Sequence, residues 1–460
     1  MHLLWFFVSC LALTAVSAAP EKVVYCYFGS WAVYRPGKGE FQIENINPSL
    51  CTHLVYTFVG LEGVNVKVLD PWQDLPDQAG KDGFRRFNAI RMKNPWLQTL
   101  VAMGGWNEGS VQYSEMAANP ESRKKFTENV IKFLQKHGFS GFDLDWEYPA
   151  QRGGIPEDRK NYVELLKLMR SRFDEEGFLL SAAVAASASS AWKSFDIPEI
   201  SKYLDFINIM AYDFHVPKNG VTGLNAPFRA SPSDTPQDKA LTVEATVKYW
   251  LDQGAPKEKL VLGMPLYGRS FTLSNPLVNG VGAPIRGTGI SGPYTREPGV
   301  LAYNEICEMQ SQGGWNVIFD ADHLVPYAIR GNQWVSYDNV ESIREKAKLV
   351  KELGLAGAMV WSVESDDFRG VCGEPYPLLK TINAVLRGGK PGPEEQTPPE
   401  KPTLPPVSKH CTKEGNIPNP ASCGFIVCIA DAFGGFTEHY VECAPGLCFN
   451  PTANACDWKL

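Results

Sequence analysis

Beyond the first twenty residues the sequence has no run of about 18 apolar residues, so no membrane-spanning helix is expected downstream. It also lacks cationic clusters. Lys and Arg total 44 against 51 Asp and Glu, a formal net charge of −7. A nucleic-acid backbone is held by concentrated Lys and Arg, so no such partner is expected. Sequons for N-glycosylation are missing, because Asn47 and Asn450 are each followed by proline. No glycine-rich phosphate turn follows the first β-like run, the feature a doubly wound nucleotide-binding sheet would need. Nothing in the chain requires a cofactor.

What is present begins with an apolar leader ending in Val16, Ser17 and Ala18. It is too short to span a bilayer and reads as a signal peptide over residues 1–18, cut after Ala18 or Ala19. Cys10 leaves with it, and the ten remaining cysteines are an even number suited to an oxidising, extracellular compartment. Six of them (Cys411, Cys423, Cys428, Cys443, Cys448 and Cys456) crowd into the last fifty residues. Two differently built domains follow from that asymmetry, separated by the proline-dense stretch at 389–408, which cannot form a core and serves as an extended spacer.

Within residues 19–388, short β-rich runs alternate with amphipathic stretches such as Glu121–His137 and Glu157–Glu176. The runs are Val23–Gly29, His53–Val59, Thr99–Trp106, Phe139–Trp146, Leu180–Ala185, Asp205–Tyr212, Lys259–Tyr267 and Ala356–Val363. Eight strands alternating with helices predict an α/β fold, a (β/α)8 TIM barrel. The interval between the last two runs is too long for one βα connection. Residues 267–337 are therefore expected to form a small α+β insertion at the top of the barrel, with Gln333–Tyr337 as one of its strands.

The densest chemistry lies at Phe142-Asp143-Leu144-Asp145-Trp146-Glu147. Acids alternate with large apolar residues at strand period, so the three carboxyls point to one side, the barrel interior. Three carboxyls on one buried face must share protons, and at least one stays protonated near neutral pH. A protonated acid beside an ionised partner is what glycosidic cleavage requires. A divalent-metal site and a solvated edge strand are the alternatives from this strand alone. The other strand ends carry aromatic rings rather than histidines, and the intervening residues are apolar.

This strand resembles the Asp-x-x-Asp-x-Asp-x-Glu signature of family 18 glycoside hydrolases, the chitinases, with Ser140 in place of the first Asp. The segments Tyr25-Cys26-Tyr27-Phe28, Ala102-Met103-Gly104-Gly105-Trp106-Asn107, Met210-Ala211-Tyr212-Asp213-Phe214-His215, Gly263-Met264-Pro265-Leu266-Tyr267-Gly268-Arg269 and Gly357-Ala358-Met359-Val360-Trp361 are similar to animal members. The resemblance implies substrate-assisted, retaining hydrolysis of β-1,4 bonds between N-acetylglucosamine units. In it Glu147 would be the acid and later the base, Asp145 would hold the acetamido N–H, and Asp143 would hold Asp145. Tyr212 would bond the attacking carbonyl and Asp213 a sugar hydroxyl. Trp361 would floor the reacting sugar beside Met210 and Met359, while Tyr27, Trp31, Trp106 and Tyr267 would stack on sugars and Arg269 supply polar contacts. His215 is read as a loop-holding residue. The family's bridges would be Cys26–Cys51 and Cys307–Cys372. Many relatives have Gly-x-Trp where this chain reads Val216-Pro217-Lys218, and Gly-His-Asn where it reads Gly223-Leu224-Asn225. Both departures bear on the leaving-side subsites.

Residues 409–460 resemble a peritrophin-A type chitin-binding domain, a small disulfide-rich β fold, on Cys411, Pro418-Asn419-Pro420 before Cys423, Cys443-Ala444-Pro445-Gly446-Leu447, and Cys456-Asp457-Trp458. Phe436, Tyr440, Phe449 and Trp458 are its candidate sugar-stacking rings. Six cysteines allow fifteen pairings, and the sequence does not choose among them. The expected protein is a secreted, monomeric chitinase whose partners are chitin and chitooligosaccharides. A catalytically silent chitin-binding lectin on the same barrel is the alternative. In such relatives the final Glu of the motif is typically replaced, whereas Glu147 is present.

Overall fold

The computed structural model describes residues 22–388, 410–413, 415–420, 422–430, 436–443 and 447–458. The expected signal peptide and spacer lie outside the described residues. The chain divides into two compact units, Met1–Glu394 and Glu395–Leu460.

The first unit is a closed parallel barrel. Its strands are Val23–Gly29, His53–Glu62, Gln98–Gly104, Gly141–Asp145, Leu179–Ala185, Phe206–Met210, Leu260–Pro265 and Gly357–Trp361. Each pairs with its sequence neighbours, and the first also pairs with the eighth, which closes the ring. All eight runs read from sequence are strands, the first with the same bounds and the others with edges shifted. The second runs on to Glu62 because its end folds back on Asn65–Val68 as an antiparallel hairpin. The fourth stops at Asp145, where pairing with Gly104 ends, so Glu147 stands just beyond the strand on the carboxyl-end face.

Alternation along the strands sorts side chains into two cores. Tyr25, Tyr27, Val55, Leu100, Ala102, Val261 and Met359 point inward. Val24, Phe28, Leu54, Tyr56, Val101, Phe142, Leu144 and Trp146 point out against the helices. The helix Pro120–His137 shows how local sequence sets the layers. Asn119 caps it by accepting from the N–H groups of Glu121 and Ser122, Pro120 opens its first turn, and Gly138 ends it at φ 76°.

The long interval forms the expected insertion. Strands Tyr267–Leu273, Ile285–Thr288, Val300–Ala302, Asn316–Asp320, Val325–Arg330 and Gln333–Ser336 make one antiparallel sheet, with helix Tyr303–Ser311 beside it. Two small apolar clusters hold it, one around Phe271 and Trp334 and one around Leu301, Ile306 and Val335. Disulfides join Cys26 to Cys51 and Cys307 to Cys372, the latter linking the insertion's helix to the segment after the eighth strand.

The second unit has a three-stranded antiparallel sheet (Gly415–Pro418, Phe425–Ala430, Phe436–Val441) and a hairpin of Leu447–Asn450 with Ala455–Trp458. Its bridges are Cys411–Cys428, Cys423–Cys448 and Cys443–Cys456, a pairing the sequence could not choose. The cluster beneath them is little more than Cys411, Ile426 and Cys428, with Ile417 packed against it. A unit this small depends on cross-links more than on burial.

Candidate active site

Asp143, at the centre of the barrel, is fully buried and fully bonded. Its Oδ1 accepts from the Tyr27 hydroxyl at 2.9 Å, and its Oδ2 from the Ser181 hydroxyl and from Asn208 Nδ2 at 3.3 Å. Asn208 also donates to the Tyr27 oxygen at 2.9 Å. These partners come from the first, fifth and sixth strands. Desolvation pushes Asp143 up to about 6, while the three donors restrain the rise.

Asp145 has a buried Oδ1 with no hydrogen-bond partner. Desolvation, then the neighbouring charges of Glu147 and Asp143, raise it well above the usual carboxylate range. Glu147 is 9 % exposed. Burial brings it to about 7, offset by the Tyr148 hydroxyl and the Arg152 charge. The three carboxyls thus form one coupled set that retains a proton at neutral pH and opens outward at Glu147. Gly104 permits this packing: its φ is 120°, and a Cβ there would lie 2.0 Å from the Asp145 carbonyl oxygen.

A second polar group faces them from the sixth strand's loop and the insertion. Asp213 Oδ1 accepts from the Tyr267 hydroxyl at 2.7 Å and from Arg269 Nε at 2.6 Å. Its backbone N–H is held by Asn225 Oδ1 at 3.1 Å, and Asn225 reaches on to the Tyr267 carbonyl and the Ser336 hydroxyl. The hydroxyl of Tyr212 contacts Met359 Sδ at 3.7 Å. Gly263 leaves room for its ring, since a Cβ there would sit 3.0 Å from Tyr212 Cε1. His215 ties down the same loop through the Leu224 carbonyl and Asp238. Leu224 packs in the insertion's core.

Aromatic rings form the floor and rim. Trp361 lies 5.8 Å from Tyr27, 6.1 Å from Trp31 and 5.7 Å from Phe58, centroid to centroid. Met210, Tyr212 and Trp361 pack on the inner barrel cluster that contains Met359. Trp106 is 58 % exposed, with the Arg152 guanidinium 3.5 Å from its ring centroid.

One expected role is corrected. Tyr27 is 1 % exposed, so its ring offers no face to a sugar. Trp361 covers it, and its hydroxyl is spent on Asp143. Sequence reasoning missed Ser181, Asn208, Asn225, Phe58 and Arg152. Ser181 and Asn208 are polar residues inside apolar strand runs, and that was the available signal. Asn225 and Arg152 are loop residues without a pattern of their own, and Phe58 is one more apolar residue inside the second strand.

In the second unit Phe449 is buried and stacks on Phe425 with centroids 4.8 Å apart, so its expected sugar-stacking role is also corrected. Tyr440 is exposed. The side chains of Phe436 and Trp458 lie outside the described residues. Among the described residues, Cys307, Asp367 and Cys372 are the one group with metal-like spacing, and a disulfide consumes both sulfurs.

The comparisons with known proteins agree with this geometry. The family model described as "Glycosyl hydrolases family 18" matches residues 23–366. The chain is 43% identical over 395 residues to "Probable chitinase 2" of Drosophila melanogaster, covering 79% of this chain and 80% of that one. It is 35% identical to "Chitotriosidase-1" of Mus musculus over 99% of both chains. Among solved structures, the Ostrinia furnacalis Group IV chitinase in complex with allosamidin superposes with a TM-score of 0.77 at 44% identity, covering 80% of this chain and 100% of that one. On the matched span and the barrel that carries the three carboxyls, the chain belongs to glycosyl hydrolases family 18.

Proposed function

We propose that this protein is a secreted retaining chitinase that hydrolyses β-1,4 bonds between N-acetylglucosamine units with the substrate's own acetamido group as nucleophile. The observation that carries the reading is the buried carboxyl set ending in Glu147, with the unpartnered Asp145 Oδ1 beside it. Glu147, with a pKa of about 7, keeps a proton to give the leaving oxygen and afterwards takes one from water. Asp145, whose Oδ1 lacks a partner, receives the acetamido N–H and stabilises the positive charge developing on the ring of the oxazolinium intermediate. Asp143 holds the central charge in place from beneath. Tyr212 donates to the acetamido oxygen as it attacks, and Asp213, set by Tyr267 and Arg269, meets a sugar hydroxyl.

Trp361 supplies the apolar floor and Trp31 continues it along the cleft. The leader, the five disulfides and the absence among the described residues of any helix long and apolar enough to cross a membrane support an exported chain. Residues 19–388 are the catalytic domain, 389–408 the spacer and 409–460 a chitin-binding domain that raises local enzyme concentration on an insoluble polymer. The protein acts as a monomer. A silent lectin would keep the aromatic cleft but would have no use for a proton held at Glu147.

The deciding experiment follows the anomeric form of the first products from soluble chitin oligosaccharides by NMR, beside Glu147→Gln. Release of the β-anomer, reduced in the variant by roughly 10²–10⁴-fold as expected for loss of a proton-transfer group, is the expected result. A folded wild type that binds chitin and turns nothing over would leave the lectin.

A further inference from the structure

The loop after the fourth strand holds a cation that the scheme above leaves unused. Arg152 sits at φ 53°, five residues beyond Glu147. Its Nη1 donates to the Glu147 backbone carbonyl at 2.9 Å, and its guanidinium lies over the Trp106 ring at 3.5 Å from the centroid. One side chain therefore touches the acid's own peptide and an exposed ring from the third strand's loop. A planar guanidinium at that distance covers one face of the indole, while Trp106 as a whole stays 58 % exposed. Trp31 and Trp361 are grouped with each other across the first and eighth strands. Trp106 is the ring fastened to the loop of the acid, the group that meets the departing oxygen.

We propose that Arg152 is a positioning residue that locks the Glu147 backbone to Trp106, so that a leaving-side sugar stacked on the face of the indole that the guanidinium does not cover aligns its glycosidic oxygen with the acid. The Arg152 charge also acts on the acid, drawing the Glu147 carboxyl down against its desolvation. The other groups facing Glu147 are the Asp145 carboxyl and the Tyr212 hydroxyl in the barrel, Tyr148 beside it, and Asp213 across the cleft. None of these is altered by changing Arg152.

The inference rests on the chitinase reading, so its test begins with a wild type shown to be active. Arg152→Ala and Arg152→Lys are compared in the full-length protein on chitohexaose and on an aryl chitobioside, which carries no sugar beyond the scissile bond. In Arg152→Ala, kcat/KM on the hexamer should fall about tenfold while the aryl glycoside loses less than threefold. The alkaline limb of the pH profile should move to higher pH, because loss of a nearby positive charge disfavours ionisation of Glu147. Arg152→Lys keeps the charge but not the flat face, so the alkaline limb should stay while the hexamer penalty persists. Arg152 is exposed, and both variants are expected to retain the wild-type melting temperature. Equal losses on the two substrates, or an alkaline limb that does not move in Arg152→Ala, would overturn the proposal. An inactive wild type would instead overturn the chitinase reading beneath it.

Discussion

Tyr27 and Asp143 illustrate how one hydroxyl can matter more than the ring that carries it. The Tyr27 oxygen donates to Asp143 and accepts from Asn208, all three buried. Tyr27→Phe leaves the packing against Trp361 intact but strips a donor from a buried carboxylate, a change worth about 1–3 kcal/mol. The Asp143 pKa should rise above about 6, and kcat should fall roughly tenfold with little change in KM; steady-state kinetics on an aryl chitobioside checks this. The pH profile of the wild type is a second residue-scale prediction. The reacting Glu147 must be protonated, and its carboxyl sits at about 7. Activity should therefore hold below neutrality and decline tenfold per unit above about pH 8, read from kcat/KM across pH 5–9. The acids themselves were legible in the sequence, since alternation with Phe142, Leu144 and Trp146 fixed their side of the strand. The Tyr27 role was not, because an inward tyrosine at a strand end reads the same whether its ring or its hydroxyl is used.

The insertion and the loops it steadies act as elements. Asp338 and Lys346 form an ion pair with no exposed side-chain surface, N to O 2.6 Å, on the segment where the chain leaves the insertion and enters helix Val340–Glu352. Desolvation lowers the Lys346 ammonium and the Asp338 charge opposes that shift. Lys346→Met would leave a buried carboxylate, whose Oδ2 already lacks a partner, with no counter-charge. About 3–5 kcal/mol of stability should be lost, measured by urea unfolding. Asn225 belongs to the same level. It links the Asp213 backbone to the insertion through Tyr267 and Ser336, so Asn225→Ala should cost kcat/KM more than stability. The eight barrel strands were readable because apolar runs of parallel strands are buried on both faces. The insertion's strands were only partly separable: Gln333–Tyr337 was readable and is the strand Gln333–Ser336, whereas Val300–Ala302 has only three residues, and Gly299 and Gly289 interrupt the pattern around it.

For the whole molecule, several buried carboxyls set the balance of protons. Asp74 and Asp366 are raised to about 7, as is Glu147, and Asp143 to about 6, each chiefly by desolvation. In the unfolded chain such groups titrate near ~4. The folded state therefore binds more protons between these values, and the stability they contribute is lost as pH rises from about 4 to 7. His53, lowered to about 3 by burial, has the opposite sign, since the unfolded chain gains a proton there first. Four carboxyls outweigh it, so thermal unfolding should occur at higher temperature at pH 5.5 than at pH 7.5; calorimetry at the two values tests the sign. Removing residues 395–460 is expected to spare hydrolysis of soluble oligosaccharides and to abolish retention on insoluble chitin, because each unit has its own core.

Asp143 is fastened by side chains from the first, fifth and sixth strands while itself riding on the fourth. Those four strands are held at one spacing only while the first also pairs with the eighth and the second. The reaction centre thus doubles as an internal gauge of whether the ring is shut. Under mild denaturant, turnover should disappear as soon as that seam gives way, while the outer helices still report an intact secondary structure.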